Sequence, residues 1–411
     1  MREEILHYLW QHQAFDHTNL QTVRGEQIQI YSAGTLNTHS GPDFALARIH
    51  IDPLEWCGSV EIHIKSSDWN HHHHQGDPAY DRVVLHVVWQ YDREIYRADG
   101  TVVPTLELKN RVDPSMLLKI EGLLNSCQPS IACAPQVKQV PSLIKTSQLE
   151  RAAAQRLERK AQEILLLAEA NQGDWEETAY QWLLKCFGFQ VNGDAMLQLA
   201  RALPLRWIKK YQTDNKKLLQ LFLHQAGLSD KVDQAGNFFV AIPEDLKAGQ
   251  LNTSAWRYSR MRPANFPDVR ITQVAQLLCQ WGGAVNWLFQ PGALSEIMEN
   301  FRITDHDLSK KAIGKKSIEN LMINGLAPLL TAYGLFHRDD TYKEHAWSLL
   351  EALPSEDNRV VRTFVELTFP NESALDTQGM IEQYQRFCQE KKCLTCSIGS
   401  AVMKTHHLFV S

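Results

Sequence analysis

Apolar and polar residues alternate with a period of two in three stretches near the start of the chain, residues 27–31, 44–51 and 60–65. Successive side chains of a strand point to opposite faces, so each stretch reads as a strand with one apolar face. Two more apolar runs, 82–89 and 105–108, read as further strands. Ahead of them Ile5, Leu6, Leu9 and Trp10 recur at helical spacing and predict a leading helix over residues 3–13. Residues 67–80 are polar and rich in histidine, which suits a short helix or an ordered loop between the third and fourth strands. Beyond Pro141 the character changes. Ser147 and Glu150 have the spacing of a capping box and predict a long helix running to residue 171. Helical periodicity then recurs over 175–187, 193–203, 215–226, 271–282, 316–333, 342–352, 359–368 and 376–390, with Gly227 and Gly334 as helix stops. The pattern predicts an α/β domain with a mixed sheet over residues 1–135 and an all-α domain over residues 136–411.

Composition narrows the class. A chain of 411 residues, 44% hydrophobic and 22% charged, has enough apolar surface for more than one core and is neither collagen-like nor disordered. No apolar run reaches the roughly 18 residues of a membrane span, and the opening residues lack the basic-then-apolar order of a signal peptide. A cytoplasmic protein with no membrane partner is expected. The net charge of −5 excludes indiscriminate attraction to nucleic acid, so any nucleic-acid site must be a local patch. Eight cysteines over this length are too dilute for a disulfide framework.

The residues 58–65 carry the most chemistry. On a strand, Val60, Ile62 and Ile64 share one face while Glu61, His63 and Lys65 share the other. If Asp43, in the Gly41-Pro42-Asp43 turn, opens the neighbouring strand, its carboxylate meets Glu61 and the pair can hold Mg²⁺ or Mn²⁺, with His63 or Lys65 beside the water to be activated. The same alternation also fits the solvated face of an edge strand. Downstream, His72, His74 and Asp77 form a second candidate cluster for Zn²⁺, Mn²⁺ or Fe²⁺, while His86, alone in an apolar strand, reads as a core histidine. At the far end Cys388, Cys393 and Cys396 have a C-x4-C-x2-C spacing suited to zinc or an iron–sulfur cluster, or they are packing thiols; Cys133, Cys186, Cys279, His406 or His407 could complete a metal site. Arg257, Arg260 and Arg262 lie among aromatics and could bind phosphate, or pin a loop.

Pro42-Asp43 and Glu61 on neighbouring strands, with a helix before them, resemble the PD-(D/E)XK phosphodiesterase superfamily over about the first 110 residues. The resemblance implies a restriction-endonuclease-like core of a helix, three strands, a helix and a strand. It assigns metal binding to Asp43 and Glu61 and an accessory acid to Glu3 or Glu4; His63 stands where the superfamily usually has lysine. Over the whole chain, the strings around Gly41-Pro-Asp-Phe44, Val60-Glu-Ile-His63, Ser67-Asp-Trp69, Arg262-Pro-Ala-Asn-Phe-Pro267 and Cys393-Leu-Thr-Cys396 resemble a bacterial family of unknown function. The expectation is a metal-dependent nuclease acting on DNA or RNA. Its rivals are a nucleic-acid- or protein-binding chain with a nuclease-like fold and a hydrolase built on the histidine cluster.

Overall fold

The computed structural model describes every residue except 38, 127–130, 230–241, 248, 260, 291, 304–311 and 405–411. Two compact units result, residues 1–145 together with 384–411, and residues 146–383. The division differs from the expected cut at 135/136 in one substantial respect: the end of the chain is counted with the sheet and not with the helices. Its helix Ser397–Lys404 and the short turn Cys393–Thr395 pack on helices of the first unit, and Tyr8 Oη lies 3.4 Å from Ser400 Oγ.

In the first unit a helix α1 (Glu3–Gln11) leads into strands β1 (Ile28–Ser32), β2 (Thr35–Leu36), β3 (Phe44–Ile51) and β4 (Leu54–Lys65). A one-turn helix α2 (Asp68–His71) follows, then β5 (Val83–Gln90), β6 (Thr105–Glu107), α3 (Pro114–Leu124) and α4 (Ala134–Val137). The sheet order is β1-β3-β4-β5-β6, with β2 paired to β3. The pairs β1–β3 and β3–β4 are antiparallel and the pairs β4–β5 and β5–β6 are parallel, so the sheet is mixed. Every strand of the sheet ends by residue 107.

This topology puts β4 in the middle. Its outer half forms a hairpin with β3, whereas Val60, Glu61, Ile62 and His63 are buried, because β3 and β5 flank them and α1 and α2 pack nearby. Phe44, Ala47, Ile49, Val60, Ile62, Leu85 and Val87 form the apolar interior, and α1 adds Ile5, Leu6, Leu9 and Trp10. Burying each large apolar side chain contributes about 1.5–3 kcal/mol. Gly58 sits where β5 approaches most closely: a Cβ there would lie 2.4 Å from Val84 Cγ1 and 2.6 Å from the Arg82 carbonyl.

The second unit is helical and shares one core, with Tyr180, Phe187, Leu199, Phe222, Leu278 and Leu330 fully buried within it. Three local expectations change. The helix predicted from Ser147 starts at Ser142, directly after Pro141, and runs to Ala170, so Ser147 is an interior residue and not a cap. The predicted 316–333 segment is Lys315–Leu321, a π-helical turn Met322–Leu326, and Ala327–His337. Gly334 lies inside that last helix, which ends instead at Arg338 in the left-handed region. Gly227, with φ +70, does follow the helix Asn215–Gln225.

Candidate metal centre

The central position of β4 decides the fate of its polar face. Glu61 is 5% exposed and His63 1% exposed, so this face is interior and not solvated. The parallel register sets Glu61 opposite His86 of β5, which is fully buried. After Lys65 the chain turns through α2, and His73 takes a left-handed conformation (φ +61) that turns His72 and His74 back toward β4.

Three imidazoles then converge. His63 Nε2 lies 3.0 Å from His72 Nδ1, and His63 and His74 stack with centroids 5.3 Å apart. His63, His72 and His74 each offer one ring nitrogen, all within 4.8 Å of one another. Glu61 lies beside two of them, its Oε1 being 3.4 Å from His74 Nε2 and 3.6 Å from His63 Nε2. Around a zinc-like ion with bonds of about 2.0–2.1 Å, a tetrahedron has edges of about 3.3–3.4 Å; the His63–His72, Glu61–His74 and Glu61–His63 separations lie near that value, while the three histidine nitrogens as a group span up to 4.8 Å. His63 and Glu61 form the floor of this group, and His72 is exposed at its rim.

Behind the floor, His63 Nδ1 is 2.8 Å from His86 Nε2. A neutral imidazole has one donor and one acceptor nitrogen, so one hydrogen serves that contact. If His63 presents the lone pair of Nε2 to a cation, its Nδ1–H donates to His86 Nε2. The proton of His86 then sits on Nδ1, which is buried with no partner. Trp69 closes the pocket from α2, its ring centroid 5.5 Å from that of His74 and 5.6 Å from that of His86.

Asp43 sits beside this group without belonging to the imidazole trio. Its backbone N–H donates to Glu61 Oε2 (3.1 Å), and its Oδ2 accepts from Ile62 N–H (3.0 Å). His7 of α1 reaches the same carboxylate, Nε2 to Oδ2 3.2 Å. Glu3, one helical turn before His7, is half-buried and close enough to feel Asp43, while Glu4 is exposed. Of the two candidate accessory acids, Glu3 is therefore the one near the site.

The electrostatics describe a site short of positive charge. Burial, then the charges of Asp43 and Glu3, push the Glu61 carboxyl up to about 9. Burial and the adjoining His72 and His74 push His63 down to about 3, and burial also lowers His74 and, further, His86. These imidazoles stay neutral at pH 7 and keep a lone pair for a metal. Burial opposes protonation of His7, but Asp43 and Glu3 outweigh it and raise its pKa. Tyr80, stacked on His74 at 3.8 Å, is pushed up to about 12 by burial and by Glu61 and Asp43.

Several expected residues fall elsewhere. Asp77 is exposed, and its Oδ1 caps the turn Pro78–Tyr80 by accepting from Ala79 N–H (2.9 Å); His63 takes the place it was expected to hold beside His72 and His74. Lys65 is exposed, and its charge acts on Asp92. His86 is not a solitary core histidine but a partner of His63. Arg257 and Arg262 are exposed residues of the second unit, Arg257 held through its backbone by Asn192; Arg260 lies outside the described residues. Cys393 and Cys396 are buried in the first unit, Cys388 ends the π-helical turn Gln383–Cys388, and Cys186 and Cys279 belong to the second unit. His406 and His407 lie outside the described residues. His7 went unnoticed in the sequence, although its i,i+4 spacing from Glu3 places both on one face of α1.

No curated protein and no solved structure matches the chain. Residues 3–359 do match a family, the one described as protein of unknown function (DUF2851), and with that span covered the chain belongs to it.

Proposed function

We propose that the N-terminal unit is a metal-dependent phosphodiesterase, with nucleic acid as its substrate class, whose metal is held by His63, His72, His74 and Glu61. The observation that carries this reading is the convergence of three imidazole nitrogens, all within 4.8 Å of one another, with the Glu61 carboxylate beside two of them. A donor set rich in imidazole favours Zn²⁺, Mn²⁺ or Fe²⁺ over Mg²⁺. Such a cation acidifies water and polarises a phosphoryl oxygen.

The chain's own groups have defined parts in this reading. Glu61, protonated while the site is without a cation, would hold one as its carboxylate, and His63 is oriented by His86. His63 is then a ligand and not a substitute for the superfamily lysine. Asp43, with His7 and Glu3 behind it, supplies a second carboxylate next to the centre. Exposed His72 leaves the solvent side open for a phosphate. Support for the phosphodiesterase assignment comes from the element order α1, β1 to β4, α2, β5, and from Asp43, immediately before β3, lying beside Glu61 of β4, which is similar to the PD-(D/E)XK arrangement.

The test is to titrate chelator-treated protein with Mn²⁺ and Zn²⁺ and to assay cleavage of single- and double-stranded DNA and RNA. The expected result is saturable Mn²⁺ binding and metal-dependent cleavage, with Mn²⁺ binding lost in the double variant His72→Ala, His74→Ala and cleavage lost in Glu61→Gln. Equal metal binding by the wild type and the double variant would remove the histidine centre. Metal binding without cleavage of any of these substrates would remove the phosphodiesterase reading and leave the centre.

A further inference from the structure

Among the described residues Arg270 is the one buried arginine, 4% exposed, and no step of the proposed reaction uses it. It lies near the start of the helix Pro267–Gln280 in the second unit. Side chains on a helix tilt toward its N-terminus, so the guanidinium reaches back to the turn Pro263–Asn265. There Nη2 donates to Asn265 Oδ1 and to Ser317 Oγ (3.0 Å), in the helix Lys315–Leu321, while Nη1 donates to Gln273 Oε1 (2.9 Å). The ring of Phe189 lies beneath, its centroid 4.4 Å from the guanidinium carbon.

These partners satisfy hydrogen bonds and leave the charge uncompensated. All three acceptors are neutral, and they engage three of the five N–H bonds of a guanidinium. Nε–H is buried and has no partner. No carboxylate among the described residues pairs with Arg270: Asp268, the acid nearest in sequence, acts on Tyr258, and Glu319 lies 3.9 Å from Lys315. Burial lowers the guanidinium pKa to about 10, which leaves it charged at pH 7. A buried charge is costly unless an opposite charge joins it. Were Arg270 present only to tie the turn Pro263–Asn265 to the helix Lys315–Leu321, a neutral donor would make the same bonds without that cost. Asn265 and Ser317 are half-buried, so the group lies under the surface and not deep in the core. Arg262 and Lys316, exposed beside them in the chain, have no carboxylate partner among the described residues.

We infer that Arg270 and Ser317 form a binding site for an oxyanion of the phosphate class, whose negative charge completes the buried guanidinium. Nε and Nη2 belong to one planar group, so Nε–H and the Ser317 hydroxyl, 3.0 Å from Nη2, lie within reach of a single tetrahedral anion. The Ser317 oxygen accepts from Nη2, which leaves its own proton to donate. Arginine donors match phosphate oxygens, and the exposed cations Arg262 and Lys316 favour a multiply charged anion over chloride. Free phosphate and the phosphodiester of a nucleic acid share this chemistry, and the experiment separates them. The site is independent of the histidine centre and stands whether or not that centre binds metal.

The experiment uses chelator-treated full-length protein carrying His72→Ala and His74→Ala, so that phosphate on a metal at the imidazoles does not count. Equilibrium dialysis against radiolabelled inorganic phosphate at fixed ionic strength is expected to show saturable binding of one phosphate per chain. Adding Ser317→Glu, which sets a carboxylate beside Nη2, should weaken that binding by more than about tenfold, since like charges then face each other. Adding Arg270→Gln should abolish it. Absence of saturable binding in the parent protein, or unchanged affinity in either variant, overturns the site. Should Arg270→Gln fail to fold, Ser317→Glu decides, because its position is half-buried. Competition with a short single-stranded DNA lacking terminal phosphates then assigns the source. Displacement of the label at lower concentration than unlabelled phosphate supports the site with nucleic acid as its ligand, and displacement by phosphate alone supports it with free phosphate.

Discussion

Replacing His86 with leucine separates a metal centre from a cluster of merely packed histidines. His86 is fully buried and touches the trio only through His63 Nδ1, 2.8 Å away. In the metal-free chain that contact is a neutral hydrogen bond worth about 1 kcal/mol. The substitution breaks it, but it also removes the orphan Nδ1 of His86, exchanging one unpaired ring nitrogen for another, at His63. Metal-free stability should therefore change little beyond the roughly 1 kcal/mol of that bond. With a cation on His63 Nε2 the ring is polarised and its Nδ1–H makes a charge-assisted bond of about 1.5–3 kcal/mol. The difference, about 0.5–2 kcal/mol, is about a 2- to 30-fold loss of metal affinity, overlapping the lower part of the roughly 10- to 100-fold cost typical of partners behind a ligand. Competition against a chromophoric chelator measures the affinity, and melts with and without metal measure the stability. Unchanged affinity in His86→Leu would refute the orienting role. A large fall in metal-free stability would show that His86 matters chiefly for packing.

Two further outcomes follow from the same structure. Glu61 holds its proton to about pH 9 in the folded chain, against 4.5 for the ordinary group, so the folded state binds the extra proton between those values and metal-free stability falls as pH rises through them, by up to about 1.4 kcal/mol per pH unit. His63 has the opposite sign, its contribution present above pH 6.5 and lost as pH falls toward 3, so between pH 7 and 9 the Glu61 effect stands alone among these two. Chelator-treated wild type should thus melt progressively lower from pH 7 to 9 while Glu61→Gln shows a flatter profile; parallel profiles would contradict the burial argument. Gly399→Ala should lower the melting temperature by forcing the terminal helix off the Cys393 turn, at a cost of about 1–3 kcal/mol, and an unchanged denaturant midpoint would show that the turn yields freely.

Much of the fold was written in local periodicity. Period-two runs marked β1, β3 and β4, and helical spacing marked α1 and most of the second unit, because burying one face against a core imposes those repeats on the sequence. Helix ends were less legible: Ser147 carries a capping signal that Pro141 and the buried Gln148 override. Glu61 and His63 were visible as polar residues on one strand face, and His72 and His74 as members of a histidine run. Which of them meet was not visible, since it depends on β4 being central, on the parallel register that sets His86 beside it, and on the left-handed turn at His73. Asp77 and His63 exchange parts for that reason, sequence proximity favouring the first and chain reversal the second. Local order follows from the period of burial along a segment; a site follows from which segments the sheet and its connections bring together, and no local pattern encodes that.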